Sequence, residues 1–259
     1  MEVISLQSGS NGNCYFVEAG QVRLLIDAGI SGRQAENRLA EHERDIRDVD
    51  ALLITHDHND HARSMGIFNR KYDIPVFVTE KTYRAANTWR SVGEISGLNH
   101  FQAGETLTFG EQNEVQVHSI PTPHDGADGV VFIIEHEQSR LGILTDLGHV
   151  FEGLRDVLLS LDAVILESNY DPEMLKQGTY PESIKRRIAG PGGHISNQEA
   201  ADLVSRVTMF GRLKWACLCH LSDENNCPKI AKRTFEEIVG KSQPVYVASR
   251  LGSSGVFTL

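Results

Sequence analysis

The sequence predicts an α+β fold, two sheets packed face to face with helices outside, on three observations. Two β-rich stretches are each followed by segments with helical spacing of apolar residues. Metal-ligand residue types stand just after the strands. No repeat, low-complexity tract or linker interrupts the 259 residues, which read as one domain over 1–259.

Taken in order, the opening segment alternates apolar and polar residues in two or three strands joined by glycine-bearing turns, as at the hairpin edge of a sheet. Its turn Ser8 to Asn13 is rich in Ser, Gly and Asn, which suits close approach to a ligand or another loop and equally an ordinary turn. Asp27 ends the strand LLID, where it can orient a metal-bound histidine from behind or serve as a turn carboxylate. Residues 32–43 read as a helix, Leu52 to Thr55 as a buried strand, and ARSMGIFNRKY as helical up to Asp73 and Pro75. VFVT is then a strand and EKTYRAANTW a helix.

Strands return over 105–109 and 114–120, the second running into PTPHDGAD, where two prolines stiffen the chain ahead of His124. VVFIIEH and LGILTDLG are strands, Asp146 closing the latter, and LDAVILESNYD places Glu167 at a strand end. Two helices flank the turn GPGGHISN, the strand LKWACLCH ends at His220, and a helix over 228–240 precedes the strand PVYVAS.

The densest chemistry is LLITHDHNDH, an HxHxDH motif at residues 56–61. Two histidines one residue apart at an extended strand end point the same way and can share a metal, while the following turn aims Asp60 and His61 at a second one. His124, Asp146 and His220 join His56, His58, Asp60 and His61 as candidates, each just after a predicted strand. Asp146 has two oxygens and can bridge two cations, which a neutral imidazole cannot.

Composition bounds the rest. Apolar residues make up 40% and charged ones 23%, an ordinary soluble globule. No apolar run reaches membrane-spanning length, and MEVISLQSGS has neither a basic region nor a cleavage site, so no membrane partner and a cytoplasmic location are expected. Cys14, Cys217, Cys219 and Cys227 form no CxxC pair and read as free thiols, Cys217 and Cys219 facing one side of a strand. A net charge of −10 argues against binding nucleic acid through the overall field, though metal ions and a few arginines can make a positive pocket in an acidic protein.

Collected, the ligand set resembles that of the metallo-β-lactamase superfamily, which implies its four-layer αβ/βα sandwich and two divalent ions, zinc first, with manganese or iron accepted by the same donors. By that resemblance His56, His58 and His124 take one ion, Asp60, His61 and His220 the other, and Asp146 bridges them. Within the superfamily SGSNGNCYFVE, LLIDAG, PTPHDGAD, TDLG, ESNYDPEML, YPESIKRRI, GGHISN and HLSDENN resemble the YycJ/WalJ group. Gly126 and Gly129 depart from it, standing where that group tends to carry other small residues or a proline.

The resemblance implies phosphodiester cleavage in nucleic acid, DNA or RNA, by an exonuclease using a hydroxide bridging the two ions. It is similar in this to the tRNA 3′-processing hydrolases, whose proton-relay pair matches Glu167 and His194. Asp60 and His194 are then catalytic, and Ser196, Asn197, Asn225 and Asn226 are candidate donors to phosphate, with Lys185, Arg186 and Arg187 nearby as cations. A small-molecule hydrolase of phosphodiesters, cyclic nucleotides or lactones is the alternative on the same site. A regulatory protein stapled by metal fits less well, because a staple needs no proton donor.

Overall fold

The computed structural model describes residues 1–89, 91–208 and 211–259. The chain forms two compact units, one of Met1–Pro121 with Gly126–Val130 and Ser249–Thr258, the other of Thr122–Asp125 with Val131–Ala248 and Leu259.

In the first unit, β1 (Glu2–Gln7), β2 (Cys14–Ala19) and β3 (Val22–Ile26) make an antiparallel meander. To β3 are added, in parallel, β4 (Ala51–Leu53), β5 (Val76–Thr79) and β6 (Leu98–Phe101). The crossovers carry helices α1 (Gly32–Ala40), α2 (Asn59–Ala62), α3 (Met65–Tyr72) and α4 (Glu80–Trp89), as parallel pairing requires. A hairpin of β7 (Thr106–Phe109) and β8 (Val115–Pro121) follows. The core gathers Phe16, Leu25, Leu52 and Phe68, all buried.

Local chemistry sets the boundaries. Ser31 and Gln34 close a capping box at the start of α1. The helix stops at Ala40 rather than the expected Glu43, whose own φ is 60°. Asp73, in the left-handed conformation at φ 59°, ends α3. The opening strands do not form an edge, because a two-residue strand, Phe257–Thr258, pairs antiparallel with β1. That strand and β6 escape the sequence pattern: the first is very short, and the second, LNHF, has two exposed polar residues at its centre.

In the second unit, β9 (Val130–His136) and β10 (Ser139–Leu144) pair antiparallel, and β11 (Ala163–Glu167), β12 (Trp215–Cys219) and β13 (Val245–Val247) follow β10 in parallel. β11 and β12 are buried at every residue, as strands covered on both faces are. The helices are α5 (Leu154–Leu159), α6 (Pro172–Gln177), α7 (Glu182–Ile188), α8 (Asn197–Thr208) and α9 (Pro228–Val239). The first two are only six residues long, too short for periodicity to show, although Asp171 capping α6 ahead of Pro172 is a start signal. Among the described residues no helix is long and apolar enough to cross a membrane.

All four cysteines are free thiols, and Cys14, Cys217 and Cys219 are buried. Burial pushes the Cys217 thiol up to about 12 and raises Cys14 as well. Cys227, partly exposed at the start of α9, is the reachable one. Iodoacetamide at pH 8 is therefore expected to alkylate Cys227 in the native protein and to spare the other three until denaturant is added. Peptide mass mapping reads this, and early labelling of Cys217 would contradict the burial of β12.

Candidate metal and catalytic site

The HxHxDH loop leaves β4 under the control of one buried carboxylate. Asp27, at φ 65° just past β3 and fully buried, accepts the Thr55 N–H at 2.8 Å and the Thr55 hydroxyl at 2.9 Å. The expected strand Leu52 to Thr55 consequently pairs in the ladder only over Ala51–Leu53. Asp27 Oδ2 also accepts from His61 Nδ1 at 2.6 Å. A carboxylate only accepts, so the one hydroxyl proton of Thr55 goes to Asp27, and Thr55 Oγ1 accepts from His56 Nδ1 at 2.9 Å. Both imidazoles thus hold a proton on Nδ1 and keep the lone pair of a buried Nε2. Their ring centroids lie 4.1 Å apart, and the His58 ring stands 4.6 Å from that of His56.

The Ser8 to Asn13 turn packs on this loop. Asn13, fully buried, receives the Gly9 N–H on its side-chain oxygen at 2.9 Å and donates its own N–H to Asp60 O at 2.8 Å. Its amide nitrogen lies 3.3 Å from Asp60 Oδ2 and 2.9 Å from His61 Nε2. Gly29 makes the approach possible, since a Cβ there would fall 1.7 Å from Asp60 O.

The second unit assembles His124, Asp146, Glu167, His194 and His220. His124 Nδ1 donates to Gly193 O at 2.7 Å, leaving Nε2 with its lone pair, 3.6 Å from Asp146 Oδ1. Asp146 Oδ1 is also 3.6 Å from His194 Nδ1 and 3.5 Å from His220 Nδ1, and Thr145 Oγ1 holds the other oxygen at 2.5 Å. Asn169 clamps His220, donating to its carbonyl at 2.8 Å with the ring Nδ1 at 3.2 Å. Asp146, Glu167, His194 and His220 each offer an atom within 4.8 Å of the others.

Glu167, fully buried, accepts His194 Nδ1 at 2.6 Å on one oxygen and the N–H groups of Leu147 and Ile195 at 2.9 and 3.3 Å on the other. Burial alone would raise its pKa, but the His194 charge and hydrogen bonds from His194 and His220 outweigh it and hold the carboxyl well below its ordinary value. The His194 ring lies 4.9 Å from that of His124 and 5.2 Å from that of His220.

Chemically, these groups fit divalent metal. A metal-bound histidine characteristically gives its other ring N–H to a carboxylate, hydroxyl or carbonyl, which is what His56, His61 and His124 do. Nitrogen and carboxylate donors suit zinc, manganese or iron.

The four side chains expected to donate to phosphate are buried and hydrogen-bonded within the protein. Ser196, Asn197, Asn225 and Asn226 are no more than 4% exposed. Asn226 donates to Ser168 O, Asn169 O and Asn197 Oδ1, Ser196 donates to Glu199, and Asn225 bonds Ser222, so these side chains brace loops. Of the α7 cations, Arg187 is paired with Asp125 and Lys185 with Lys176 O and Glu182, while Arg186, among the described residues, reaches only Glu182 O at 3.3 Å. His42, His100, His118 and His149 bond Ser253, Val78 O, Thr106 and Pro191 O, outside both groups. Sequence reasoning missed Thr55 and Asn169 as supports, although Thr55 directly precedes His56 and Asn169 stands two residues after Glu167.

Comparison with known proteins agrees with this chemistry. The family model described as Metallo-beta-lactamase superfamily matches residues 8–198. A Bacillus anthracis protein named Exodeoxyribonuclease YycJ is 36% identical over 236 residues, 90% of this chain and 87% of that one. Exodeoxyribonuclease WalJ of Streptococcus pneumoniae serotype 2 is 36% identical over 232 residues, 89% and 85% of the two chains. Among solved structures, Zn(2+)-bound PqqB from Methylobacterium extorquens has a TM-score of 0.75 at 16% identity over 100% of both chains. The metallo-beta-lactamase fold protein YhfI from Bacillus subtilis has 0.73 at 14% identity, covering 99% of this chain and 98% of that one. At such identities these two speak for the fold alone, which is the α+β class the sequence predicted. By the family model, by the relatives and by the fold, the chain belongs to the metallo-beta-lactamase superfamily, in the branch that holds YycJ and WalJ.

Proposed function

We propose that residues 1–259 work as a single hydrolase domain, a dinuclear metal-dependent phosphodiesterase that removes nucleotides from a DNA end. The observation that carries this reading is the buried Glu167 holding His194 beside histidines already arranged as ligands, because a site that merely stored metal would need no acid–base pair. The names of the two relatives support DNA as the substrate and attack from an end. Buried free thiols suit a cytoplasmic setting.

In this reading His56, His58 and His124 hold one ion, Asp60, His61 and His220 the other, and Asp146 both, with zinc the first choice. When bound, such a pair supplies an acidified water and a clamp on the phosphodiester oxygens. The protein does the rest. Asp27 and Thr55 keep the imidazoles in one orientation, and Asp60 accepts a hydrogen bond that aims the attacking water. Glu167 accepts the Nδ1 N–H of His194 and fixes the ring, whose Nε2 passes a proton to the departing alkoxide. Arg186 on α7 gives an acidic protein a cation for the DNA backbone.

Three outcomes follow from these roles. Asp146→Ala should lose both metal equivalents by elemental analysis and His56→Ala mainly one, and two equivalents retained at near-native affinity in Asp146→Ala would contradict the bridging role. Arg186→Ala should weaken DNA binding and lower the slope of log K against log salt by about one, measured by anisotropy, while an unchanged slope would place the DNA elsewhere. His194→Ala should keep its metal yet lose roughly a hundredfold or more in turnover of end-labelled DNA, and far less on bis(p-nitrophenyl) phosphate, whose leaving group departs unprotonated. Equal losses on both substrates would make His194 a phosphate contact rather than an acid.

A further inference from the structure

A cavity of about 210 Å3 opens in the first unit against His58. Ala62, Ala86 and Val92 give it an apolar wall, and Asn59 and Arg63 bring polar groups to it. None of the steps above uses it. A mostly apolar concavity with a few placed polar groups is the usual form of a small-ligand site.

Charge narrows the occupant. Asp57, also in the lining and 8% exposed, has its Oδ1 fixed by the Ala127 N–H at 2.7 Å. The cation in the lining, Arg63, already gives Nη2 to Asn11 O at 2.9 Å. A phosphate would meet a fixed carboxylate and a partly engaged guanidinium, an unfavourable balance. A neutral planar ring with donors and acceptors on its edge avoids that conflict. It can lie against the apolar wall, stack on the guanidinium plane, and pair its edge with the Asn59 amide, which carries both a donor and an acceptor.

His58 links the cavity to the chemistry, for its ring also lies 4.6 Å from that of His56. We infer that this cavity receives the nucleobase of the terminal nucleotide, so that the attached phosphate is delivered to the histidines. The inference rests on the nuclease reading and adds to it a subsite that grips the base rather than the backbone.

The test compares metal-loaded wild type, Ala86→Phe, which fills the space, and Asn59→Ala, whose exposed position keeps the fold safe. Each is given DNA duplexes whose terminal nucleotide, at either end, is normal or abasic. The wild type should cleave the normal end about tenfold faster, as expected for losing contacts to one base, and that ratio should fall toward one in both variants. An equal ratio in all three proteins, or no preference in the wild type, would overturn the inference.

A second readout needs no turnover, namely quenching of 2-aminopurine 2′-deoxyriboside fluorescence on titration with each protein. Saturable quenching is expected in the wild type and its loss in Ala86→Phe. A wild type that cleaves no nucleic acid but binds the nucleoside sinks the nuclease reading and keeps the pocket. One that cleaves DNA without base preference and binds no nucleoside does the reverse.

Discussion

The hydrogen bonds gathered by Asp27 are what the ligand loop of the first unit depends on. A carboxylate with no solvent exposure must have its oxygens satisfied, and here the partners are the Thr55 N–H, the Thr55 hydroxyl and the His61 ring. Three consequences follow from one group. The strand ladder ends at the chosen residue, the hydroxyl proton of Thr55 is committed, and two imidazoles are left in the tautomer that presents Nε2. Leaving any of these buried donors unmatched would cost about 1–3 kcal/mol, so the arrangement is also a large share of local stability.

The second unit uses the same device in a different place. Glu167 ends β11 fully buried and takes N–H groups from the loop after β10 and from the turn before α8, besides the His194 ring. Two backbone segments far apart in sequence are thereby tied to one side chain. Burial by itself would favour the neutral acid, and the histidines around it reverse that preference. A group that stays ionised without water is a firm acceptor for the ring N–H of the neighbouring imidazole.

Backbone conformation completes the construction. Asp27, Asp146 and His220 follow β3, β10 and β12 with φ of 65°, 55° and 54°, a region that side chains other than glycine rarely enter. Each such residue costs about 1 kcal/mol or more, and it persists because the hydrogen bonds around it over-determine its position. The left-handed residue turns the chain sharply at the strand end. Functional side chains therefore stand at the rim of a sheet instead of continuing its alternation.

Much of this was legible from residue order. The HxHxDH spacing, the ligand types after strands and the apolar runs AVIL in β11 and WACLC in β12 are local facts, since pattern and side-chain chemistry are properties of neighbouring residues. The sequence by itself therefore determined the fold class and the family. It could not show that the amides of Asn197 and Asn226 are turned onto one another and onto the backbone. Nor could it show that Asn13 reaches a loop 47 residues away, or that LNHF becomes a strand because β5 lies beside it. Those choices belong to the tertiary structure, because a polar side chain's role is set by whichever unsatisfied group the fold brings within about 3 Å, and that neighbour is seldom its neighbour in sequence.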